Sequence, residues 1–370
     1  MREIILAPDS FKGTLSAQEI CALEKAAVLA RFPGAAVHTI PMADGGEGMV
    51  ESYLNLLGGE RITVSVTGPK GTPVPAVYGI LPDGSAVMEM AAAAGLPLMG
   101  EERDPLHATS RGVGELLLDA EKRGIRKVLL GLGGSATNDC GIGMAAALGF
   151  RFLDSAGSEV EPLAENLERI AELREPDRLP ELTIRAACDV NNPLLGRTGA
   201  TYTFGPQKGA DEAMLVRLEA GMASFAAVLE RHYGSSPADH PGAGAAGGLG
   251  AAVLQLLRGT LQPGIELLLD AAHFDQLLES ADMVFTGEGR IDWQSAHGKV
   301  PAGVGARCKR RGVPCVALCG SIGKGAEELY GCGITAIFSA VKGPAAFEEI
   351  RATCREDLTF LTDSVLRLLG

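Results

Sequence analysis

The sequence lacks several features that define common classes of protein. Its eight cysteines form no Cys-x-x-Cys pair, and no histidine stands at zinc-site spacing from Cys315 and Cys319. No stretch approaches 18 uninterrupted apolar residues, so we expect no membrane span. The opening MREIILAPDS carries a five-residue apolar run, too short for a signal peptide. Together these absences predict a cytoplasmic protein with reduced thiols.

Positive charge is also scarce. The 370 residues include 33 Lys and Arg against 46 Asp and Glu, a formal net charge of −13. Such a chain repels a phosphate backbone, so we expect no nucleic-acid partner. An anionic small molecule would have to be bound by a local cluster of Lys, Arg and backbone N–H groups.

Several well-known catalytic motifs are missing. The nearest approach to a P-loop is Gly323-Lys324, but Leu318 stands in the first glycine position and Gly325 in the hydroxyl position. The sequence has no His-Arg-Asp or Asp-Phe-Gly kinase set and no Gly-x-Ser-x-Gly elbow with histidine support. Its six histidines are scattered, which argues against a histidine-based mechanism.

Hydrophobic periodicity predicts an α/β protein. A strand at 3–7, a helix opened by the capping box Ser16-x-x-Glu19, and a strand at 36–40 form a βαβ unit with a parallel sheet. Short β-rich segments with turn residues between them predict antiparallel strands at 61–66, 74–80 and 85–90. Further along we expect helices at 111–123 and 211–232, an Ala-rich helix that ends at about 148, and a C-terminal helix that begins at about 345. We expect strands at 126–131, 182–188, 283–286, 313–319 and 334–338. Segment 155–181 reads as a charged loop, and 234–250 has the composition of a flexible linker inside a globular protein.

This pattern predicts two domains. Residues 1–66 and 281–370 would form one flavodoxin/Rossmann-like domain with a parallel sheet, and 67–280 an inserted mixed α/β domain. A cleft between two such domains is the natural place for an active site.

Glycine, at 49 residues, is abundant and clustered in loops that also carry polar groups. Such loops bring backbone N–H groups, carboxylates and cations close to a phosphorylated ligand and a metal ion. Each one also has a plain structural interpretation, as a turn or a helix cap. The stretch 131–136 in addition fits a loose dinucleotide fingerprint, with Asp154 eighteen residues on. The loops are Pro8–Thr14, Ala43–Gly48, Gly131–Asp139, Cys188–Leu194, Phe204–Gly209 and Thr286–Lys299.

Eight motifs in order along nearly the whole chain resemble the bacterial glycerate kinase family of type 1, the glycerate 2-kinase-like group. The resemblance implies the glycerate kinase I fold and ATP-dependent phosphorylation of D-glycerate, usually at the 2-hydroxyl, with Mg²⁺. The chain departs from the common family pattern at Cys140 and at Trp293. The motifs are PDSFKGTLSA (8–17), PMADGGEG (41–48), MEMAAAAGL (88–96), GLGGSATND (131–139), CDVNNPL (188–194), FGPQKGA (204–210), GAGAAGGLGA (242–251) and TGEGRID (286–292).

Phosphoryl transfer depends on positioning and on neutralising phosphate charge, which suggests a role for each polar loop residue. Under the resemblance, Asp189 is the expected base for the substrate hydroxyl, and Lys12 and Arg290 are catalytic cations. The expected substrate-binding residues are Asp9, Ser10, Asn191 and Lys299, the expected ATP-binding residues are Gly133, Gly134, Ser135, Asn138 and Lys208, and the expected Mg²⁺ ligands are Asp44 and Asp292.

Alternatives stay open at this point. Phosphorylation at the 3-hydroxyl would give 3-phosphoglycerate instead. The fingerprint at 131–136 also fits an NAD-dependent dehydrogenase, and the glycine loops fit a non-catalytic nucleotide-binding sensor. A homodimer is a further expectation.

Overall fold

The computed structural model describes residues 2–42 and 48–369. The strands are β1 (Glu3–Pro8), β2 (Ala36–Thr39), β3 (Glu60–Thr67), β4 (Pro73–Ile80), β5 (Ala86–Glu89), β6 (Lys127–Gly131), β7 (Arg151–Leu153), β8 (Glu172–Arg174), β9 (Thr183–Ala187), β10 (Thr260–Gln262), β11 (Met283–Gly287), β12 (Arg290–Ile291), β13 (Cys315–Cys319), β14 (Ser321–Ile322) and β15 (Ala336–Ser339).

The α-helices are α1 (Ala17–Arg31), α2 (Met49–Leu57), α3 (Met90–Ala94), α4 (Arg111–Lys122), α5 (Ile142–Ala147), α6 (Ala200–Phe204), α7 (Glu212–Tyr233), α8 (Ala245–Gln255), α9 (Gly264–Ala271), α10 (Phe274–Leu277), α11 (Val300–Arg311), α12 (Glu328–Gly331) and α13 (Phe347–Leu366). Short 3₁₀ helices cover Leu96–Met99, Ala164–Arg169, Pro206–Lys208, Trp293–Ala296 and Arg367–Leu369. No helix among the described residues is long and apolar enough to cross a membrane.

The chain divides into two compact units, Met1–Asp44 with Ile265–Gly370, and Gly45–Gly264. The sequence placed these divisions later, after residues 66 and 280. The first differs because β3 pairs along its whole length with β4, which ties it to the second unit. The second differs because Arg307 of α11 forms ion pairs with Glu266, Asp270 and Asp275, which ties the helices before residue 280 to the first unit.

The first unit has a five-stranded parallel sheet in the order β15-β13-β11-β1-β2. Counted along this unit alone, that order is 2-1-3-4-5, the flavodoxin-like arrangement. The strand order reverses between β1 and β11, where Ile4 pairs with Met283. Ligands of such sheets bind outside the carboxyl ends of the strands at this reversal, so the loops after β1 and β11 are the first place to look.

Helix α1 begins as the sequence predicts. The Ser16 hydroxyl accepts a hydrogen bond from Glu19 N, and the Glu19 carboxylate accepts one from Ser16 N at 2.9 Å, which confirms the capping box. The helix then buries Ile20 and Val28 in the hydrophobic core of the first unit, together with Leu6 of β1.

The second unit has a six-stranded mixed sheet in the order β10-β9-β6-β5-β4-β3. The pairs β3–β4 and β4–β5 are antiparallel, as predicted, and the other three pairs are parallel. A separate and larger apolar core fills this unit, in which Phe152 and Phe225 make an edge-to-face contact with 5.8 Å between ring centroids. The α/β fold class is thus confirmed, with a parallel or mixed sheet in each unit.

Two segments differ from their predicted structure. Segment 155–181 contains the 3₁₀ helix Ala164–Arg169 and β8, which pairs with β7. The predicted linker 234–250 runs into α8, whose first residues leave the helical region at Ala246, Gly247 and Gly248 and are buried. A Cβ atom on Gly247 would lie 2.0 Å from the Thr137 carbonyl oxygen, so the glycines here allow backbones to pack closely rather than to move.

Candidate active site

A cavity of about 330 Å³ lies in the first unit at the carboxyl ends of its strands. Residues that follow β1, β11, β13 and β15 all contribute to its wall, and α13 closes one side. It therefore occupies the ligand position that the strand order indicates. The lining residues are Asp9, Ser10, Phe11, Lys12, Thr14, Glu288, Gly289, Arg290, Lys299, Gly320, Ser321, Ala340, Val341, Phe347, Ile350, Cys354 and Asp357.

The loop after β1 is fixed by backbone hydrogen bonds. Asp9 N donates to the Gly287 carbonyl at the end of β11, at 2.8 Å, which joins the two strand ends. Phe11 and Leu15 exchange backbone hydrogen bonds across a tight turn, and Gly13 within it has a φ of +82°. This turn holds Lys12 at the wall of the cavity.

Three cationic side chains line the cavity: Lys12, Arg290 and Lys299. Arg290 Nε lies 3.3 Å from Asp292 Oδ2, and Lys299 Nζ lies 3.4 Å from Glu288 Oε2. The arrangement is the local cluster of cations that an anionic ligand requires in a chain of net negative charge. The structure thus brings together five residues predicted for the site, since Asp9 and Ser10 also line the cavity.

Glu288 belongs to the same cavity and was not predicted as a site residue. It is 7% exposed, and its Oε1 atom has no hydrogen-bond partner among the residues that the structure describes. Burial raises the pKa of this carboxyl, while the Ser295 hydroxyl and the Lys299 ammonium act in the opposite direction. The available signal was its position, directly after a buried strand and between two glycines.

In the second unit, the glycine loop 131–139 follows β6. The Gly134 carbonyl accepts from Leu96 N at 2.8 Å, and Ala136 N donates to the Ala94 carbonyl at 2.9 Å. Gly134 has a φ of +75° and is exposed, Gly133 is half-buried, and Ser135 is buried. Two backbone hydrogen bonds therefore hold the loop against the residues at 94–96, and Gly134 is presented at the surface of the unit.

Two predicted nucleotide-binding side chains lie beneath this loop. Lys208 is buried and donates from Nζ to the Thr137 carbonyl at 2.6 Å, and burial lowers its pKa to about 7 against the pull of the Asp139 charge. Asn138 is buried too and donates from Nδ2 to Thr201 Oγ1 at 3.2 Å. Both side chains support the loop from inside the unit, and a direct contact with nucleotide stays a prediction.

Asp139 anchors the far end of the same loop. Its carboxylate accepts hydrogen bonds from Ser110 N and Ser110 Oγ at 2.9 and 2.7 Å, and from Gly141 N and Gly143 N. Complete burial raises the pKa of this carboxyl although these donors oppose the shift. The role visible in the structure is to fix the start of α5.

Asp189 and Asn191 lie on the exposed loop after β9. Because β9 pairs in parallel with β6, with Gly131 beside Ala187, this loop and the glycine loop leave the sheet at neighbouring strand ends. Asp189 Oδ1 accepts a hydrogen bond from Gly264 N at 2.8 Å. Its carboxylate is thus partly engaged in holding its own loop.

The predicted Mg²⁺ ligands are Asp44 and Asp292, and Asp44 lies outside the described residues. Asp292 Oδ1 caps the following 3₁₀ helix by accepting from Gln294 N at 3.0 Å, and Oδ2 faces Arg290. Within residues 2–42 and 48–369, no group of three or more His, Cys, Asp or Glu has the geometry of a metal site. Of the two predicted Mg²⁺ ligands, only Asp292 therefore lies among the described residues, and no such cluster surrounds it.

Comparison with known proteins identifies the family. A sequence model of the glycerate kinase family matches residues 4–370. Glycerate kinase of Bacillus subtilis (strain 168) is 46% identical over 352 residues, which cover 94% of this chain and 92% of that protein. The chain belongs to the glycerate kinase family.

Two further members of the family support the same conclusion. Glycerate 2-kinase of Escherichia coli (strain K12) is 42% identical over 353 residues, with 94% of this chain and 92% of that protein covered. A crystal structure described as a glycerate kinase 2 from Salmonella typhimurium LT2 matches with a TM-score of 0.87 at 39% identity, and covers 100% of this chain and 98% of that chain.

The comparisons confirm the resemblance, the fold class and the enzyme class. Members of the glycerate kinase family are phosphotransferases, so this chain is a kinase. Neither the dehydrogenase nor the non-catalytic sensor finds support in them.

Proposed function

We propose that this chain transfers the γ-phosphoryl group of ATP to the 2-hydroxyl of D-glycerate and releases 2-phosphoglycerate. Membership of the glycerate kinase family supports the acceptor and the donor. The choice of the 2-hydroxyl is supported by the name of the Escherichia coli relative, glycerate 2-kinase, at 42% identity.

The observation that carries the proposal is the convergence of Lys12, Arg290 and Lys299 on one cavity at the strand-order reversal of the first unit. Glycerate carries a carboxylate, and the transferred phosphoryl group carries further negative charge. Catalysis of phosphoryl transfer consists mainly of positioning these groups and neutralising their charge. We assign the three cations to the carboxylate of glycerate and to the incoming phosphoryl group, with Asp9 and Ser10 as hydrogen-bonding partners of the substrate.

The nucleotide has a candidate site in the second unit. Backbone N–H groups of Gly133, Gly134 and Ser135 lie in a loop that two backbone hydrogen bonds hold at a strand end, the type of position that binds phosphates. Lys208 and Asn138 would contribute by holding this loop in place.

Regiochemistry gives the direct test of the proposed reaction. The purified chain, ATP, Mg²⁺ and D-glycerate are incubated, and the product is examined by proton-coupled ³¹P NMR. A phosphate on carbon 2 couples to one proton and gives a doublet, as we expect, whereas a phosphate on carbon 3 couples to two protons and gives a triplet. A triplet would overturn the choice of hydroxyl, and the absence of any ATP-dependent phosphate ester would overturn the kinase reaction on glycerate.

The predicted base, Asp189, has its own test. If Asp189 accepts the hydroxyl proton, Asp189→Asn should lower kcat by about 10²–10⁴-fold, the usual value of general-base catalysis. Asn191→Ala should then lower kcat by a smaller factor, because that side chain would only orient the base. A kcat for Asp189→Asn within about tenfold of wild type removes the assignment.

The proposal also includes Mg²⁺ as the metal ion of the reaction and the cytoplasm as the location of the protein. Kinases use ATP as its Mg²⁺ complex, so EDTA should abolish turnover and excess Mg²⁺ should restore it. A cytoplasmic location agrees with the eight cysteines, all of which are free thiols. Turnover that survives full chelation would contradict the role of the metal.

A further inference from the structure

Glu288 is buried, and one of its two carboxylate oxygens has no partner at hydrogen-bonding geometry among the described residues. Its side chain is 9% exposed, and Oε2 faces Lys299 Nζ at 3.4 Å. Oε1 has no partner at hydrogen-bonding geometry among the described residues, although the Ser295 hydroxyl lies close enough to lower the pKa of this carboxyl and the residue lines the cavity of the first unit. A buried acceptor without a donor costs free energy, and natural structures keep such groups mainly where a ligand or water completes them.

The chemistry of the ligand decides what can complete Oε1. A carboxylate oxygen is satisfied by a hydrogen-bond donor or by a cation, and glycerate can offer only the former. The carboxylate of glycerate and the phosphates of ATP are acceptors and would be repelled by it. The two hydroxyl groups are the donors that glycerate offers, and one of them is the group that is phosphorylated.

We propose that Glu288 accepts the hydrogen bond of the reacting glycerate hydroxyl through Oε1 and removes its proton during transfer. The inference rests on the proposed function and gives to Glu288 the role that the sequence suggested for Asp189. Lys299 would hold the other carboxylate oxygen and so fix the orientation of the base.

The step balances in atoms and charge. The hydroxyl oxygen forms a bond to the γ-phosphorus of ATP, and its proton passes to Glu288 Oε1. The bond between the γ-phosphorus and the bridging oxygen breaks, and its electron pair leaves with ADP. Glu288 then releases the proton to solvent, and one proton is produced for each turnover.

The surroundings of Glu288 suit a base. Burial raises its pKa above the ordinary 4.5 of a glutamate, which brings the group nearer to neutral pH, where a general base works best. Because the base must be deprotonated, the rate should fall as the pH drops through this pKa. Among the described residues, Glu288 interacts electrostatically with Lys299, Asp292 and the Cys319 thiol. The other charged or titratable residues that line the same cavity are Asp9, Lys12, Arg290, Cys354 and Asp357.

The test compares Glu288→Gln, Glu288→Asp and, as a control, Glu348→Gln on the exposed first turn of α13. Glu288→Gln should lower the single-turnover rate by about 10²–10⁴-fold while the KM for ATP stays within about threefold. Glu288→Asp keeps a carboxylate, so its single-turnover rate should be at least tenfold higher than that of Glu288→Gln. Glu348→Gln should match wild type.

The outcomes separate this inference from the proposed function. If wild type forms phosphoglycerate and Glu288→Gln stays within tenfold of its rate, the role of Glu288 is wrong and the kinase function stands. If Glu288→Asp is as slow as Glu288→Gln and both unfold at lower temperature, the residue is structural. Should the variants not fold, the wild-type profile decides: a single-turnover rate that does not fall as the pH is lowered from 8 to 4.5, the ordinary pKa of a glutamate, contradicts the inference.

Discussion

Two buried glutamates of the first unit differ in whether a cation lies beside the carboxylate. Glu288 lines the cavity and has a cationic partner, whereas Glu24 of α1 is fully buried and neither of its carboxyl oxygens has a hydrogen-bond partner among the described residues. Burial raises the pKa of Glu24 to about 8. A group of this kind is carried at a cost in stability, because the unfolded chain can ionise it in water and the folded chain cannot.

The pKa of Glu24 makes stability depend on pH. Its folded pKa lies above the unfolded value of 4.5, so between pH 4.5 and about 8 the folded state holds a proton that the unfolded state releases. The free energy of unfolding should therefore decrease as the pH rises through this window, by up to about 1.4 kcal/mol per pH unit. Glu24→Gln should remove this dependence, and Glu348→Gln should not. Urea unfolding at pH 5.5, 6.5 and 7.5 checks this, and equal slopes for wild type and Glu24→Gln would contradict it.

The sequence predicts which cations line the cavity better than it predicts the burial and the hydrogen-bond partners of the residues around them. Lys12, Arg290 and Lys299 could be predicted because cations are few and stand in glycine-rich loops after strands. Glu288 and Glu24 could not be found in the same way, since burial and the absence of a partner arise only when distant parts of the chain pack together. For Lys208 the same limit applies: its sequence neighbours indicate a phosphate contact, and the fold places its ammonium on a buried carbonyl.

At the scale of secondary structure, the longer regular elements were predictable, whereas segment 155–181 and one glycine-rich segment were not. Periodicity and turn residues gave β3, β4, β5 and α7 to within a few residues. The segment before α8 has the composition of a linker, because glycine and alanine serve equally for mobility and for close packing. Its neighbours show that the segment is closely packed, because the Thr137 carbonyl leaves no room for a side chain on Gly247.

A pair of glycine substitutions tests this close packing. Gly247 and Gly84 both have positive φ, of +65° and +79°, but only Gly247 has backbone atoms where a Cβ would lie, and Gly84 has open space. Gly84→Ala should cost only the left-handed strain of about 1–2 kcal/mol. Gly247→Ala should cost a further ~1–3 kcal/mol, because the glycine loop must shift. Equal losses in the free energy of unfolding would show that the segment does not pack as described.

At the scale of the whole molecule, two units each contain their own sheet and their own apolar core. The discontinuous first unit follows from βαβ patterns at both ends of the chain, which the sequence displays. The divisions between the units could not be read from it, since they depend on which sheet β3 joins and on the ion pairs of Arg307. The order of the first sheet then accounts for the position of the cavity.

We propose that the cationic cavity of the first unit binds D-glycerate and the transferred phosphoryl group. The most direct measurement is kcat/KM for D-glycerate in Arg290→Met, with Arg311→Met as control. Arg311 lies in the last turn of α11, outside the cavity, with Glu279 at 3.8 Å.

A hydrogen bond to a charged group is worth about 1.5–3 kcal/mol, so Arg290→Met should lower kcat/KM by roughly 10- to 150-fold. Arg311→Met should stay within about twofold of wild type. Equal values of kcat/KM for the two variants and wild type would show that Arg290 and its cavity do not bind the substrate.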